Sequence, residues 1–211
     1  TFKSLVVPIL YVGIPILLVF MQPDLGTSLV YIAIFVGMLF VSGIRLRLVR
    51  IIATVGVLLM PLAWFVLKDY QKQRILVFMN PDIDPFGSGY HIIQSKIAIG
   101  SGTIFGKGLF NGTQSQLNFL PENHTDFIFS VIGEELGFIG CIFVLILLFM
   151  LIYRSIKVAY SCNDRFGMLL ATGIGSMLCF EVLVNAGMTM GIMPVTGIPL
   201  PFISYGVSAL T

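Results

Sequence analysis

Charge is what this sequence has least of. Asp, Glu, Lys and Arg together make up 10% of its 211 residues, well below the roughly 25% of an ordinary soluble domain. The 12 basic and 10 acidic residues leave a formal charge of +2, too small for the basic surface that a nucleic-acid partner requires. Cysteine is scarce as well: of the three, Cys141 and Cys179 sit inside apolar runs and Cys162 lies in a polar connection, so no disulfide framework is suggested. With two histidines in the chain there is no His/Cys cluster of the kind that holds zinc. Gly106-Lys107-Gly108 lacks the GxxxxGK[ST] pattern of a nucleotide-binding loop.

Apolar residues fill 57% of the chain and the mean hydropathy is +0.99. A membrane-spanning helix needs about 20 largely apolar residues. Runs at residues 5–21, 28–44, 49–67, 127–153 and 166–190 therefore predict an all-α fold, a polytopic transmembrane helical bundle that forms one membrane domain over residues 1–211. A further run begins near Pro201 and contains the last residue, Thr211, and the chain starts at Thr1 rather than Met. It reads as part of a larger bundle. Lys3, Arg45, Arg47, Arg50, Arg154, Lys157 and Arg165 fall in connections that an alternating topology puts on one side. The positive-inside rule makes that side cytoplasmic. The turn at residues 22–27, the segment 68–125 and the turn at 194–201 are then extracytoplasmic.

Segment 68–125 is longer than an ordinary structureless connection, so internal structure is expected. A short amphipathic stretch at 70–79 is followed by Pro81, Pro85, Gly87 and Gly89, which mark turns. HIIQSKIAI at residues 91–99 suits a helix lying at the membrane interface. The glycines on either side of Lys107 suggest accessible amides that, with its ammonium, favour an anion; a solvated lysine in a flexible loop fits the same residues. Gln22-Pro23-Asp24-Leu25-Gly26-Thr27-Ser28 supplies a helix stop and three candidate caps for the next helix. The Gly- and Pro-interrupted stretch 191–201 is the kind of broken helix tolerated beside a cavity. The densest chemistry is FLPENHTDFIF at residues 119–129, where Glu122, His124 and Asp126 meet the start of an apolar run. Acidic groups at such a boundary are functional candidates because charge beside hydrocarbon is costly. Glu134, Glu135 and Glu181 lie within or near the spans, where helix packing with a paired charge, some of it from further helices of the bundle, and direct chemistry are the two readings, the first slightly favoured.

QPDLGTS at Gln22, GYHIIQSKIAIGSG at Gly89, GKG at Gly106, GTQSQLNFLPENHTDFIF at Gly112, GEELG at Gly133 and NAGMTMGIMPVTGIPLPFISYG at Asn185 run in order over nearly the whole chain. In them the sequence resembles the SEDS family of bacterial cell-wall polymerases. The resemblance implies a membrane glycosyltransferase that joins lipid II units into glycan strands, alongside a class B penicillin-binding protein that cross-links them. Asp126 matches the family's essential aspartate, and Glu122 and His124 match its neighbours. One departure stands out: the usual SYGGS reads Ser204-Tyr205-Gly206-Val207-Ser208 here, and Val207 brings a β-branched side chain where glycine is free to take positive φ.

The implied reaction gives Asp126 the role of general base toward a sugar hydroxyl. Arg74, Lys96 and Lys107 are the cations available to balance a diphosphate leaving group. Thr125, Gln94, Ser95 and Gln114, with Gln22 and Asp24, are candidates to bind substrate or support the site. No intrinsic cofactor is expected; a divalent cation such as Mg or Mn, held partly by phosphate oxygens, suits the chemistry. Composition alone fits two other readings, a lipid flippase or transporter with broken-helix sites and a non-catalytic cell-wall scaffold.

Overall fold

The computed structural model describes residues 3–22, 24–43, 64–65, 67–85, 87–117 and 119–205, with residues 50, 54 and 58 besides. The predicted span 49–67 lies largely outside them, as do Arg45, Arg47 and Val207. Among the described residues the fold is all-helical: α1 (Lys3–Met21), α2 (Leu25–Val41), α3 (Asp69–Met79), α4 (Ser88–Ser101), α5 (Thr113–Gln116), α6 (Ile128–Ser161) and α7 (Arg165–Thr189), with one 3-10 turn at Pro81–Ile83. Helices α6 and α7 are long and apolar enough to cross a membrane, and α1 and α2 contain the shorter apolar stretches Val7–Met21 and Leu25–Val41.

The chain divides into two compact units, Thr1–Val66 with Leu151–Phe180 and Leu67–Met150 with Glu181–Thr211. In the first, Asp24 caps α2: its Oδ1 accepts from Thr27 N at 3.0 Å and its Oδ2 from Thr27 Oγ1 at 2.6 Å. The cap starts the helix at Leu25, three residues before the expected 28, because Asp24 outcompetes Thr27 and Ser28 for the free amides of the first turn. Gly37 lies so close to Ser176 Oγ that a Cβ could not fit, which is how small residues let spanning helices approach.

The second unit contains α3, α4, α5, the first part of α6 and the end of α7. Asp84 Oδ2 accepts from Ser88 N at 3.0 Å and from Gln73 Nε2 at 3.3 Å, so one carboxylate caps α4 and ties it to α3. The helix expected at 91–99 forms as the centre of α4, but its faces are not those the pattern suggests. Ser95 is fully buried while Ile97 is 46% exposed. Ser95 Oγ lies 2.6 Å from Ser130 Oγ and donates to Thr189 O at 2.6 Å, and this pairing offsets the cost of burying a hydroxyl.

Helix α6 is interrupted at Gly137, whose φ of 67° and ψ of −163° leave the helical region. A break in a spanning helix frees backbone groups that must find partners. The loop after α4 supplies them. Phe138 N and Ile139 N donate to Thr103 O and Ile104 O at 3.0 and 3.2 Å, while Glu134 O and Glu135 O accept from Lys107 N and Gly108 N, both at 3.0 Å. The amides around Lys107, expected to be open to an anion, are thus committed to α6. A Cβ at Gly106 or Gly137 would collide with the facing backbone.

Candidate active site at the 119–129 turn

The acidic motif folds as a tight turn leading into α6. Glu122, at φ 53°, turns the chain so that its carbonyl accepts from Thr125 N and Phe127 N, both at 3.2 Å. The carbonyls of His124, Thr125 and Asp126 are held from downstream. Tyr205 N donates to His124 O at 2.8 Å, Ser204 Oγ to Thr125 O at 2.7 Å, and Asn185 Nδ2 to Asp126 O at 2.9 Å. Asn185 is fully buried and also donates to Ile198 O at 2.8 Å, so one amide joins α7, the turn and the irregular segment 190–205. On the other side, Asn123 Nδ2 donates to Ser115 O at 3.0 Å.

With its backbone clamped, Asp126 is half-buried. Its carboxylate receives no hydrogen bond from another described residue. A Cβ at Gly197, which has φ 75°, would lie 3.5 Å from Oδ2. Burial, reinforced by the nearby negative charge of Glu122, pushes the Asp126 carboxyl above the usual carboxylate range, and the Arg74 guanidinium opposes the shift. A raised pKa makes the ionised carboxylate a stronger proton acceptor. Arg74 also lies over the Tyr70 ring, 5.8 Å from its centroid. His91 stacks on Phe127 with centroids 6.0 Å apart. Burial lowers its pKa, against the pull of Glu122 and Asp84.

The other predicted residues fall in distinct places. Glu122 and His124 are exposed, and Thr125 Oγ1 donates to Glu122 Oε2 at 2.9 Å. Lys107 pairs with the fully buried Glu134 at 2.9 Å. Around that carboxylate, Oε1 also accepts from Thr113 Oγ1 at 3.2 Å and Gln114 N at 2.9 Å, and Oε2 from Ser115 N at 3.1 Å and Ser115 Oγ at 3.2 Å. Lys107 and Gln114 are therefore bound into the wall that carries the turn. Gln94 is half-buried on α4 and Lys96 is exposed there, its side chain crossing Gly191 so closely that a Cβ could not fit. Gln22 and Asp24 belong to the first unit. Asn185 and Ser204 lie in the motif that begins at Asn185, which by itself gives neither a role; a polar amide inside the apolar run of α7 is the one local sign.

Comparison with known proteins supplies the family. The model of the FtsW, RodA and SpoVE cell cycle proteins matches residues 1–211. The chain belongs to this family. It is 48% identical over 209 residues to the peptidoglycan glycosyltransferase MrdB of Escherichia coli strain K12, covering 99% of this chain and 56% of that protein. It is 36% identical to the peptidoglycan glycosyltransferase RodA of Treponema pallidum strain Nichols, covering 93% of this chain and 62% of the relative. The chain thus spans about half the length of the curated relatives it matches. Among solved structures, a peptidoglycan synthase complex that coordinates polymerization and crosslinking aligns with TM-score 0.76 and 35% identity over 96% of this chain and 56% of its own. The rod shape determining protein RodA of Thermus thermophilus, solved as a mutant, aligns with TM-score 0.62 and 31% identity over 97% of this chain and 51% of its own. The family assignment makes the chain part of a polytopic, all-helical membrane protein.

Proposed function

We propose that this chain is the catalytic part of a peptidoglycan glycosyltransferase that joins lipid II units into glycan strands for cell elongation and shape. The observation that carries this reading is the Asp126 carboxylate, half-buried and without a hydrogen-bond partner among the described residues, on a turn whose backbone is clamped at three successive carbonyls. Such a group is available to accept a proton. A positioned general base contributes typically about 10²- to 10⁴-fold.

In the proposed step the 4-hydroxyl oxygen of one lipid-linked disaccharide forms a bond to the anomeric carbon of another. Asp126 takes the hydroxyl proton as the bond from that carbon to the diphosphate oxygen breaks, and the electron pair leaves with undecaprenyl diphosphate. In-line displacement inverts the α-linkage to a β-glycoside, so the protein supplies no nucleophile. Arg74, near enough to influence Asp126, is the cation this reading assigns to the diphosphate charge, whereas the charge of Lys107 is matched by Glu134. Glu122 and His124 are exposed beside the base, where they can meet sugar or peptide groups.

A divalent cation at this site would be shared between protein and substrate. Among the described residues no three His, Cys, Asp or Glu side chains group into a metal site, so Asp126 or Glu122 with substrate phosphate oxygens would hold it. When bound, it would offset negative charge on the leaving diphosphate.

The reading also puts the protein in the bacterial cytoplasmic membrane, with the 119–129 turn on the extracytoplasmic side, and pairs it with a class B penicillin-binding protein. The test is incubation of the purified full protein with lipid II, alone and with that transpeptidase. Lysozyme-sensitive glycan strands are expected. Passage of lipid II across vesicles with no glycan formed would replace the polymerase by a lipid carrier.

A further inference from the structure

The loop that mends the break in α6 has an unexpected surface. Its interior is polar and satisfied: Lys107 meets Glu134, and Gly106 N donates to Gly102 O at 2.7 Å. Its outer side is apolar, with Ile104 57%, Phe105 80%, Leu109 62% and Phe110 78% exposed. In a loop surrounded by water these side chains would have no reason to be there.

The depth of the loop follows from its bonds to α6. No charged residue occurs between Glu135 and Arg154, and as helix the intervening stretch rises about 27 Å, close to the roughly 30 Å thickness of a hydrocarbon layer. Leu136, Phe138 and Ile139, all exposed, therefore stand at one rim of that layer. Thr103 and Ile104 are bonded through their carbonyls to Phe138 N and Ile139 N, so the loop tip shares that depth. Irregular backbone inside the layer needs its polar groups satisfied. The amides of Gly106, Lys107 and Gly108 have carbonyl partners, whereas those of Phe105, Leu109 and Phe110 have none among the described residues. This keeps the loop at the rim, where headgroups and water reach its backbone while the side chains extend inward.

We propose that the Thr103–Phe110 loop is a re-entrant element whose Ile104, Phe105, Leu109 and Phe110 side chains insert among lipid acyl chains at the bilayer rim, continuing the lipid-facing surface of α6. Acyl chains fit this surface better than another spanning helix does, because helix contacts in membranes favour small residues and this face presents two phenylalanines, an isoleucine and a leucine. The Lys107–Glu134 pair then sits just behind the rim and pins the insertion to the segment that carries Ser115, the carbonyl partner of Asn123. This inference does not depend on the reaction assigned to Asp126.

The chain has one tryptophan, Trp64. In a Trp64→Phe background of the full protein, with any tryptophan outside this chain also replaced, Phe105→Trp and Phe110→Trp each place a fluorophore on the loop while exchanging one exposed aromatic for another. The proteins are reconstituted into phosphatidylethanolamine and phosphatidylglycerol vesicles whose acyl chains are brominated near the headgroup or near the bilayer centre. Phe143→Trp on α6 serves as the lipid-facing control. Insertion predicts blue-shifted emission that is largely lost with headgroup-proximal bromine and resists aqueous acrylamide. Emission quenched by acrylamide and spared by bromine would overturn the inference. Protection from both quenchers at both sites would also overturn it, by showing that protein covers the loop.

Discussion

Replacing Glu134 by Gln tests how the loop and the candidate active site are held together. Both carboxylate oxygens of Glu134 face donors: Lys107 Nζ, Thr113 Oγ1 and Gln114 N on Oε1, and Ser115 N with Ser115 Oγ on Oε2. A glutamine has one oxygen and one NH₂ group. In either orientation the NH₂ faces a backbone amide, and the Lys107 ammonium loses its counter-charge. Breaking a fully buried pair by removing one partner costs about 3–5 kcal/mol; the partly exposed Lys107 side chain lowers that figure, and the donor–donor contact adds to it. Lys107→Met is milder, because the carboxylate keeps two amides and two hydroxyls; a charged hydrogen bond is worth about 1.5–3 kcal/mol. Thermal unfolding of the purified protein in detergent, followed by near-UV circular dichroism, should rank parent above Lys107→Met above Glu134→Gln. Polymerase activity should fall with the Gln variant as the 112–117 segment loosens from the turn. Equal midpoints for the two variants, or a Gln variant as stable as the parent, would show that the carboxylate does not organise this wall.

Gly137→Ala should be destabilised by about 1–3 kcal/mol from the backbone alone, with more from the clash against Gly106 and Ile104, whereas Gly100→Ala, with open space beside it, should be neutral or slightly stabilising; unfolding midpoints compare the two. Glu122→Gln removes a negative charge that raises the Asp126 pKa, so the base stays ionised to lower pH. The acid limb of polymerase activity should therefore move to lower pH, and a limb that moves upward or not at all would refute the coupling. Asn185→Ala deletes the amide that holds Asp126 O and Ile198 O; in a lipid II titration its kcat should fall more than its KM rises, and the reverse would make Asn185 a binding group.

Much of this architecture can be read locally. Long, largely apolar runs mark α1, α2, α6 and α7 because the bilayer demands length and apolarity, and Asp24 and the 119–129 motif stand out against that background. What escaped the sequence is non-local. Nothing beside Glu134 announces that its cation is Lys107, twenty-seven positions earlier, since pairing depends on how the loop returns to α6. Gly137 looks like one more glycine in a spanning helix until the carbonyls of Thr103 and Ile104 take up the amides it releases. Ser95 in a polar cluster suggests a wet face, yet its partners Ser130 and Thr189 come from two other helices and draw it inward. Asn185 shows the same limit: its polarity is visible, but its role as a clamp on Asp126 exists only once α7 and the turn meet.

The central claim is that the Asp126 carboxylate accepts the proton as the glycosidic bond forms. Its most direct test is the initial rate of glycan synthesis from lipid II by Asp126→Asn, compared with the parent at matched folding and substrate binding. Asparagine preserves shape and removes basicity, so the rate should fall by about 10²- to 10⁴-fold. An Asn variant that binds lipid II and polymerises it within a few-fold of the parent would contradict the account and move the base to another group.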